Sequence, residues 1–217
     1  MKIHGEDTVR LTVCHGSTNC EVRKGSPDDA GAFSDLAPMA FEQLLRVAIG
    51  PRAPRVLHSL FRKPGNLSSF ENSFFATVDG APGAMIQGFD WKQYRAQRTY
   101  TDLLYLTRLR LRAIPTLLGL ALAPRWYGKP REDEYYIIYL ATYPRFRCMG
   151  LATRLLMRAE QTARERGCLA LSLDADPENA LAIPLYLKTG FRIEEEVAVK
   201  VLNRSLGRLC RMRKPLT

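Results

Sequence analysis

Between residues 134 and 175 the chain runs through an aromatic and β-branched stretch, a short basic turn, an amphipathic stretch and a second apolar run. This order restricts the fold more than any other segment. Glu134-Tyr135-Tyr136-Ile137-Ile138-Tyr139-Leu140-Ala141-Thr142 has the composition of a strand. Pro144-Arg145-Phe146-Arg147-Cys148-Met149-Gly150 forms the turn. From Leu151 to Arg166, helical spacing puts Leu151, Leu155, Ala159 and Thr162 on one face, flanked by Leu156 and Ala163. Arg154, Arg158, Arg164 and Glu165 fall mainly on the other side, and Gly167 is a stop. Cys168 to Ala175 is nearly continuously apolar, as expected of an inner strand. Strand, helix and strand with so tight an entry predict a parallel crossover unit. The helix entry exposes unsatisfied N–H groups and the positive end of the dipole, so it is an anion site. Gly150 lets a ligand approach the backbone, Ala152 keeps the first turn bare, and Arg145 and Arg147 add positive charge.

With 217 residues the chain can bury a sizeable core, and its 46% hydrophobic and 25% charged content is ordinary for a globular domain. A net charge of +10 suits a polyphosphate ligand, an acidic substrate or nucleic acid, and it disfavours a polycationic substrate. Five widely spaced cysteines without a C-x-x-C pair predict free thiols in a reducing cytoplasm. Cys14, His15 and Cys20 lack the further ligands that would complete a metal site, so no metal is expected. The start of the chain lacks the apolar core of a signal peptide. Residues 1–17 read as a variable lead-in and residues 18–217 as one domain.

A short strand is predicted over Asn19–Arg23, then a helix start with Ser26 as N-cap and Pro27 in its first position. Helical pieces are expected over Leu36–Ile49 and Arg52–Phe61. Phe74–Val78 and Ala84–Phe89 read as two strands joined by a five-residue loop from Asp79 to Gly83. Residues 91–130 form a leucine-rich helical insertion that serves as a lid, a homodimer surface or simple packing. It holds Arg108, Arg110 and Arg112, each costing about 2.5–3.5 kcal/mol at a bilayer centre, so no membrane span is expected. A helix over Ala180–Lys188 and closing strands over Phe191–Val201 and Arg208–Met212 complete the pattern.

The strand, Pro144 and the spacing Arg147-x-x-Gly150-x-Ala152 resemble the acyl-CoA-binding motif of the GCN5-related N-acetyltransferase (GNAT) family. Asn179-Ala180 followed by Leu185-Tyr186 and Gly190-Phe191 resembles the same family's C-terminal motif, at a suitable distance. The resemblance implies an α/β fold of one domain: a mixed, mostly antiparallel central sheet, a parallel strand–helix–strand cofactor unit and flanking helices. It implies acetyl-CoA as cosubstrate and a small-molecule or protein amine as acceptor. The cofactor would lie along Leu140, Ala141 and Thr142, on the turn and helix entry formed by Arg147, Cys148, Met149, Gly150, Leu151, Ala152 and Thr153, and against Asn179 and Tyr186.

Asn179 and Tyr186 are seven residues apart and would share a face of one helix. A coenzyme thiol comparable to cysteine has a pKa of about 8.5 against about 10 for tyrosine, so Tyr186 is expected to protonate the departing thiolate slightly uphill. The amine must lose a proton before attack. Histone-acetylating members of the family carry a glutamate eleven residues before the motif arginine, and this chain has Tyr136 there. Glu134, two residues away, is placed on the face of Tyr136, Ile138 and Leu140 by the strand period and is the expected proton relay. Asp133, Glu71 and Asp90 compete with it. Cys148 replaces the glycine common in the family, which narrows the backbone's freedom but keeps its amide. The alternative reading is a basic nucleic-acid- or ribosome-associated protein that uses the fold without catalysis, carried by the net charge and the tail from Arg204 to Lys214.

Overall fold

The computed structural model describes residues 19–40, 50–109, 128–201 and 204–216. The lead-in with Cys14 and His15, residues 41–49 of the 36–49 helix and residues 110–127 of the later insertion lie outside them. Seven strands form one sheet in the order β1-β2-β3-β4-β5-β7-β6. They are β1 (Cys20–Lys24), β2 (Ser73–Val78), β3 (Ala81–Asp90), β4 (Glu134–Thr142), β5 (Ala170–Ala175), β6 (Arg192–Val201) and β7 (Arg204–Pro215). Every neighbouring pair is antiparallel except β4 and β5, which run parallel as the crossover pattern requires. The helices are α1 (Ala30–Ala40), α2 (Ala53–Phe61), α3 (Trp91–Leu109), α4 (Leu151–Glu165) and α5 (Ala182–Lys188).

Helix α4 buries Leu151, Leu155, Leu156, Ala159, Thr162 and Ala163, the stripe read from its spacing. These side chains meet Val22, Ala76, Ile86, Ile137 and Leu173 on one face of the sheet. On the other face, Phe33, Leu36, Leu57 and Phe61 of α1 and α2 cover Phe75, Met85, Tyr139 and Ala141. Strand β4 is therefore covered on both sides, whereas β5 gives Leu171 and Leu173 to the α4 core and alternates them with the buried polar Ser172 and Asp174.

Local chemistry moves three boundaries. Ser26 caps as expected and shares a capping box with Asp29, but the short 3-10 turn Pro27–Asp29 leads straight into α1 at Ala30 rather than at Leu36. The loop between β2 and β3 shrinks from five residues to two, because Asp79 and Gly80 both take positive φ (50° and 83°) and the primed turn matches strand twist. Helix α3 begins directly after β3, since Asp90 Oδ1 accepts from the Gln93 amide at 2.8 Å and acts as its cap. The leucine run only comes later, so the cap was the missed signal. Strand β7 also extends well beyond Arg208–Met212 in both directions.

Candidate cofactor and acyl-transfer site

Strands β4 and β5 pair from Glu134↔Ala170 to Ile137↔Leu173 and then stop, although β4 runs on to Thr142 and β5 to Ala175. The sheet opens there into a fork. On its other side β4 keeps pairing with β3, through Leu140↔Ile86, Ala141↔Met85 and Thr142↔Ala84. Leu140, Ala141 and Thr142 thus present a strand edge toward the fork, where an extended amide-bearing ligand can add hydrogen bonds.

A bulge lies just past the last β4–β5 pair. Gln87 faces Tyr139 and Gly88 faces Ile137, so Ile138 is the extra residue. Tyr135 and Ile137 pack on the α4 side, Ile138 joins Tyr136 on the opposite side, and Leu140 returns to the α4 side. Leu140 therefore does not share a face with Tyr136. The period of two fails at the inserted residue.

At the mouth of the fork the chain makes the short 3-10 turn Pro144–Phe146 and enters α4 through Gly150, whose φ is 74°. Cys148 also takes a left-handed φ of 63°. The first helical backbone bond runs from the Arg154 amide to the Gly150 carbonyl at 3.1 Å. Among the described residues, the amides of 148–153 find no acceptor. Arg147, Cys148 and Gly150 are exposed, Met149, Ala152 and Thr153 are half-buried, and Leu151 is anchored in the core. Arg145 folds over the Phe146 ring at 4.8 Å. Gly83 backs the turn: a Cβ there would lie 3.0 Å from Leu151 and 3.3 Å from Phe146. The donor set is a row of free N–H groups with flanking arginines, which fits a pyrophosphate.

Tyr186 is buried on the α4 side with Ala175, Phe191 and Cys210, in the cluster that also takes in Leu140 and Met149. Its ring centre lies 5.7 Å from that of Phe191. The phenol makes no hydrogen bond to the described residues, and burial pushes its pKa well above the ordinary tyrosine value. Burial also raises the neighbouring Cys210 thiol to about 11. Asn179 does not share a helix with Tyr186. It precedes α5, where its exposed side-chain oxygen accepts from the amides of Leu181 at 3.2 Å and Ala182 at 3.0 Å. The cap function of asparagine wins over helix continuation.

Glu134 differs most from expectation. It is fully buried. Its Oε2 accepts from the Arg131 amide at 3.0 Å, Ser172 at 2.8 Å and Arg211 at 2.8 Å, and its Oε1 from Arg213 at 3.2 Å. Burial alone would raise its pKa, but the Arg131 amide, the Arg211 charge and the Ser172 hydroxyl together hold it below the usual carboxylate value. With its oxygens so occupied it is a counter-ion, with no room to relay a proton from solvent. The competitors also have partners, though fewer than Glu134. Asp133 pairs with Arg213 at 2.6 Å, Glu71 accepts from the Gly65 amide at 2.7 Å, and Asp90 caps α3.

Tyr136 reaches a residue not singled out from the sequence. Its hydroxyl donates to Asp174 Oδ2 at 2.8 Å, the same oxygen that accepts from the Gly128 amide at 3.0 Å. Arg211 donates to Asp174 Oδ1 at 3.0 Å and stacks over the Tyr136 ring at 4.9 Å. Burial lifts Asp174 above the ordinary aspartate value against the pull of Arg211. The polar alternation Ser172-x-Asp174 in β5 and Arg211-x-Arg213 in β7 was the available signal. Four cations of the supposed basic tail are paired with acids: Arg208 with Glu196, Arg211 with Glu134 and Asp174, Arg213 with Asp133 and Glu134, and Lys214 with Glu160. Among the described residues, no group of three or more His, Cys, Asp or Glu side chains is placed to hold a metal ion. No described helix is long and apolar enough to cross a membrane.

A parallel pair that forks beside a helix entry with free amides is an α/β arrangement whose edge and donors fit an anionic, extended ligand. Residues 69–191, more than half of the chain, match the acetyltransferase (GNAT) family. The chain belongs to that family. A stretch of 62 residues is 40% identical to GCN5-related N-acetyltransferase 4, chloroplastic, of Arabidopsis thaliana; it covers 29% of this chain and only 21% of that one. The structure is similar to an N-acetyltransferase from Staphylococcus aureus Mu50, with a TM-score of 0.65 and 17% identity over 88% of this chain and 98% of that one. YncA from Salmonella typhimurium, solved with its cofactor acetyl-CoA, has a TM-score of 0.57 and 14% identity over 91% of this chain and 94% of that one. At such identities the likeness speaks for the fold.

Proposed function

We propose that the chain is an acetyl-CoA-dependent N-acetyltransferase that acetylates a primary amine by direct attack on the thioester. The observation that carries this reading is the fork: the β4 edge from Leu140 to Thr142 opens between the free amides of 148–153 and the Tyr186 phenol. The amides of Cys148 to Thr153, with Arg147, would hold the pyrophosphate, and the β4 edge would pair with the pantetheine arm. Asn179 would meet that arm through its side-chain NH2, since its oxygen serves the cap. Acetyl-CoA supplies an acyl group activated as a thioester. An amide near Leu140 or Ala141 would donate to the thioester carbonyl as negative charge develops there.

Tyr186 would hold a proton for the sulfur as it leaves. Its burial keeps the phenol protonated across the neutral range. The same burial makes transfer to a solvated thiolate of pKa about 8.5 more uphill, but a thiolate leaving into this apolar cluster is desolvated too and its own pKa rises with it. On the acceptor side Tyr136 takes the place of the family glutamate. Its hydroxyl is buried and held by Asp174, so the amine's proton would leave directly to solvent and Tyr136 would shape the acceptor side without relaying it.

Calorimetric titration with acetyl-CoA tests the cofactor half. Binding is expected for the wild-type protein, and Gly150→Trp should abolish it, because a bulky side chain would stand among the free amides. No binding, or binding indifferent to that substitution, removes the basis of the reading. A panel assay of thiol release against free amines, polyamines and peptide N-termini then identifies the acceptor class.

A further inference from the structure

We propose that Arg211 is a positioning residue for the cofactor: it bolts β4 to β5 and sets the point at which the fork opens. The proposal rests on the acetyltransferase reading above.

Arg211 is the largest fully buried side chain among the described residues. Its two terminal nitrogens tie both strands, Nη2 touching β4 and, through the Ser172 hydroxyl at 3.3 Å, β5, and Nη1 holding β5 further along. Nη2 donates to Glu134 of β4 at 2.8 Å and to the Lys129 carbonyl at 2.8 Å, while Nη1 donates to Asp174 of β5 at 3.0 Å. Ser172 ties the same two strands from within, donating to Glu134 at 2.8 Å. Glu134 stands at the first β4–β5 rung, opposite Ala170, and Asp174 is one residue beyond the last rung, Ile137↔Leu173. The bolt therefore spans the whole paired region and ends where the strands part.

This placement answers a question the backbone leaves open. Two adjacent strands with free edges gain hydrogen bonds by zipping further, and both β4 and β5 continue past the last rung. Asp174 is the residue that would have to follow β4. Its carboxylate is held by three donors, Arg211 from β7, the Gly128 amide and the Tyr136 hydroxyl, the last from the paired part of β4, before the bulge. Asp174 is directly opposite Arg211 in the β5–β7 ladder, so this contact fixes the course of β5 along β7 at the point where the bulge at Ile138 carries β4 along β3. The gap between these two strands is the one that would receive the pantetheine arm.

The test compares two probes. Acetyl-CoA engages both the turn and the fork, whereas adenosine 3′,5′-bisphosphate carries only the nucleotide end and has no arm for the fork. Asp174→Ala removes the hold on β5 at the point where the strands part, leaving Arg211 balanced by Glu134 and in contact with Ser172 inside the paired region. It should weaken acetyl-CoA binding at least tenfold and change bisphosphate binding by less than twofold. Arg211→Lys keeps the charge but cannot serve both strands through separate nitrogens, and its acetyl-CoA affinity should fall between wild type and Asp174→Ala. If Asp174→Ala does not fold, Asp174→Asn is measured in the same way, with a loss of roughly threefold or more expected for acetyl-CoA alone. An equal loss for both probes, or no loss for either, overturns the proposal. Failure of the wild-type protein to bind acetyl-CoA overturns the acetyltransferase reading as well, so the two failures are told apart by the wild-type titration.

Discussion

At the scale of single residues, Cys148 and Gly150 carry the two left-handed conformations of the turn, but only one of them is a glycine. A left-handed conformation costs a residue with a Cβ roughly 1–2 kcal/mol, part of which glycine gives back through its looser unfolded state. Cys148→Gly should therefore raise stability by up to about 1 kcal/mol in a thermal melt, with acetyl-CoA affinity within twofold of wild type because the amide is retained. Gly88 is the opposite case. A Cβ there would lie 2.6 Å from the Tyr135 ring and 2.7 Å from the Tyr136 carbonyl, in the bulge beside the fork. Gly88→Ala should destabilise the protein by about 1–3 kcal/mol, as overpacking does, measured by urea denaturation. Glu134 makes a prediction in pH. Its folded pKa is held below the ordinary 4.5, so its stabilisation is complete above that value and is lost as pH falls through the lower folded value. Glu134→Gln should flatten the acid limb of the stability curve below pH 4.5, read from melts at a series of pH values.

At the scale of elements, short polar contacts decide where helices and turns begin. Asp90 both caps α3 and pairs with Arg166 at 3.2 Å near the end of α4. Asp90→Ala should lose about 1 kcal/mol from the cap, with little more from the partly exposed ion pair, and amide exchange should rise first in residues 91–95. The Asp79–Gly80 turn and the Asn179 cap act by the same logic. Each is one side chain satisfying backbone groups that the next element leaves open. Strand β4 was legible in full from its aromatic and β-branched run, and α4 from its apolar stripe. The bulge at Ile138 was not legible, because it is defined by pairing with β3 across 50 residues of chain and leaves no mark in β4's own composition.

At the scale of the whole molecule, the net charge of +10 resolves partly into interior and paired groups instead of a uniform basic surface. Arg211 lies fully buried between two buried carboxylates, and removing one partner of such a set costs about 3–5 kcal/mol. Arg211→Met should fall in that range and lower the midpoint of a cooperative transition. The order of elements, the parallel crossover and the glycine-bearing turn into α4 follow from local patterns: period, caps, and glycine and proline positions. Those signals act over a few residues, so a single chain displays them. The burial of Glu134, the hold of Asp174 on Tyr136 and the point at which β4 leaves β5 depend on β7, which joins the sheet from the far end of the chain. An arginine in a basic tail and an arginine between two strands have the same local sequence, and only the packing of seven strands distinguishes them.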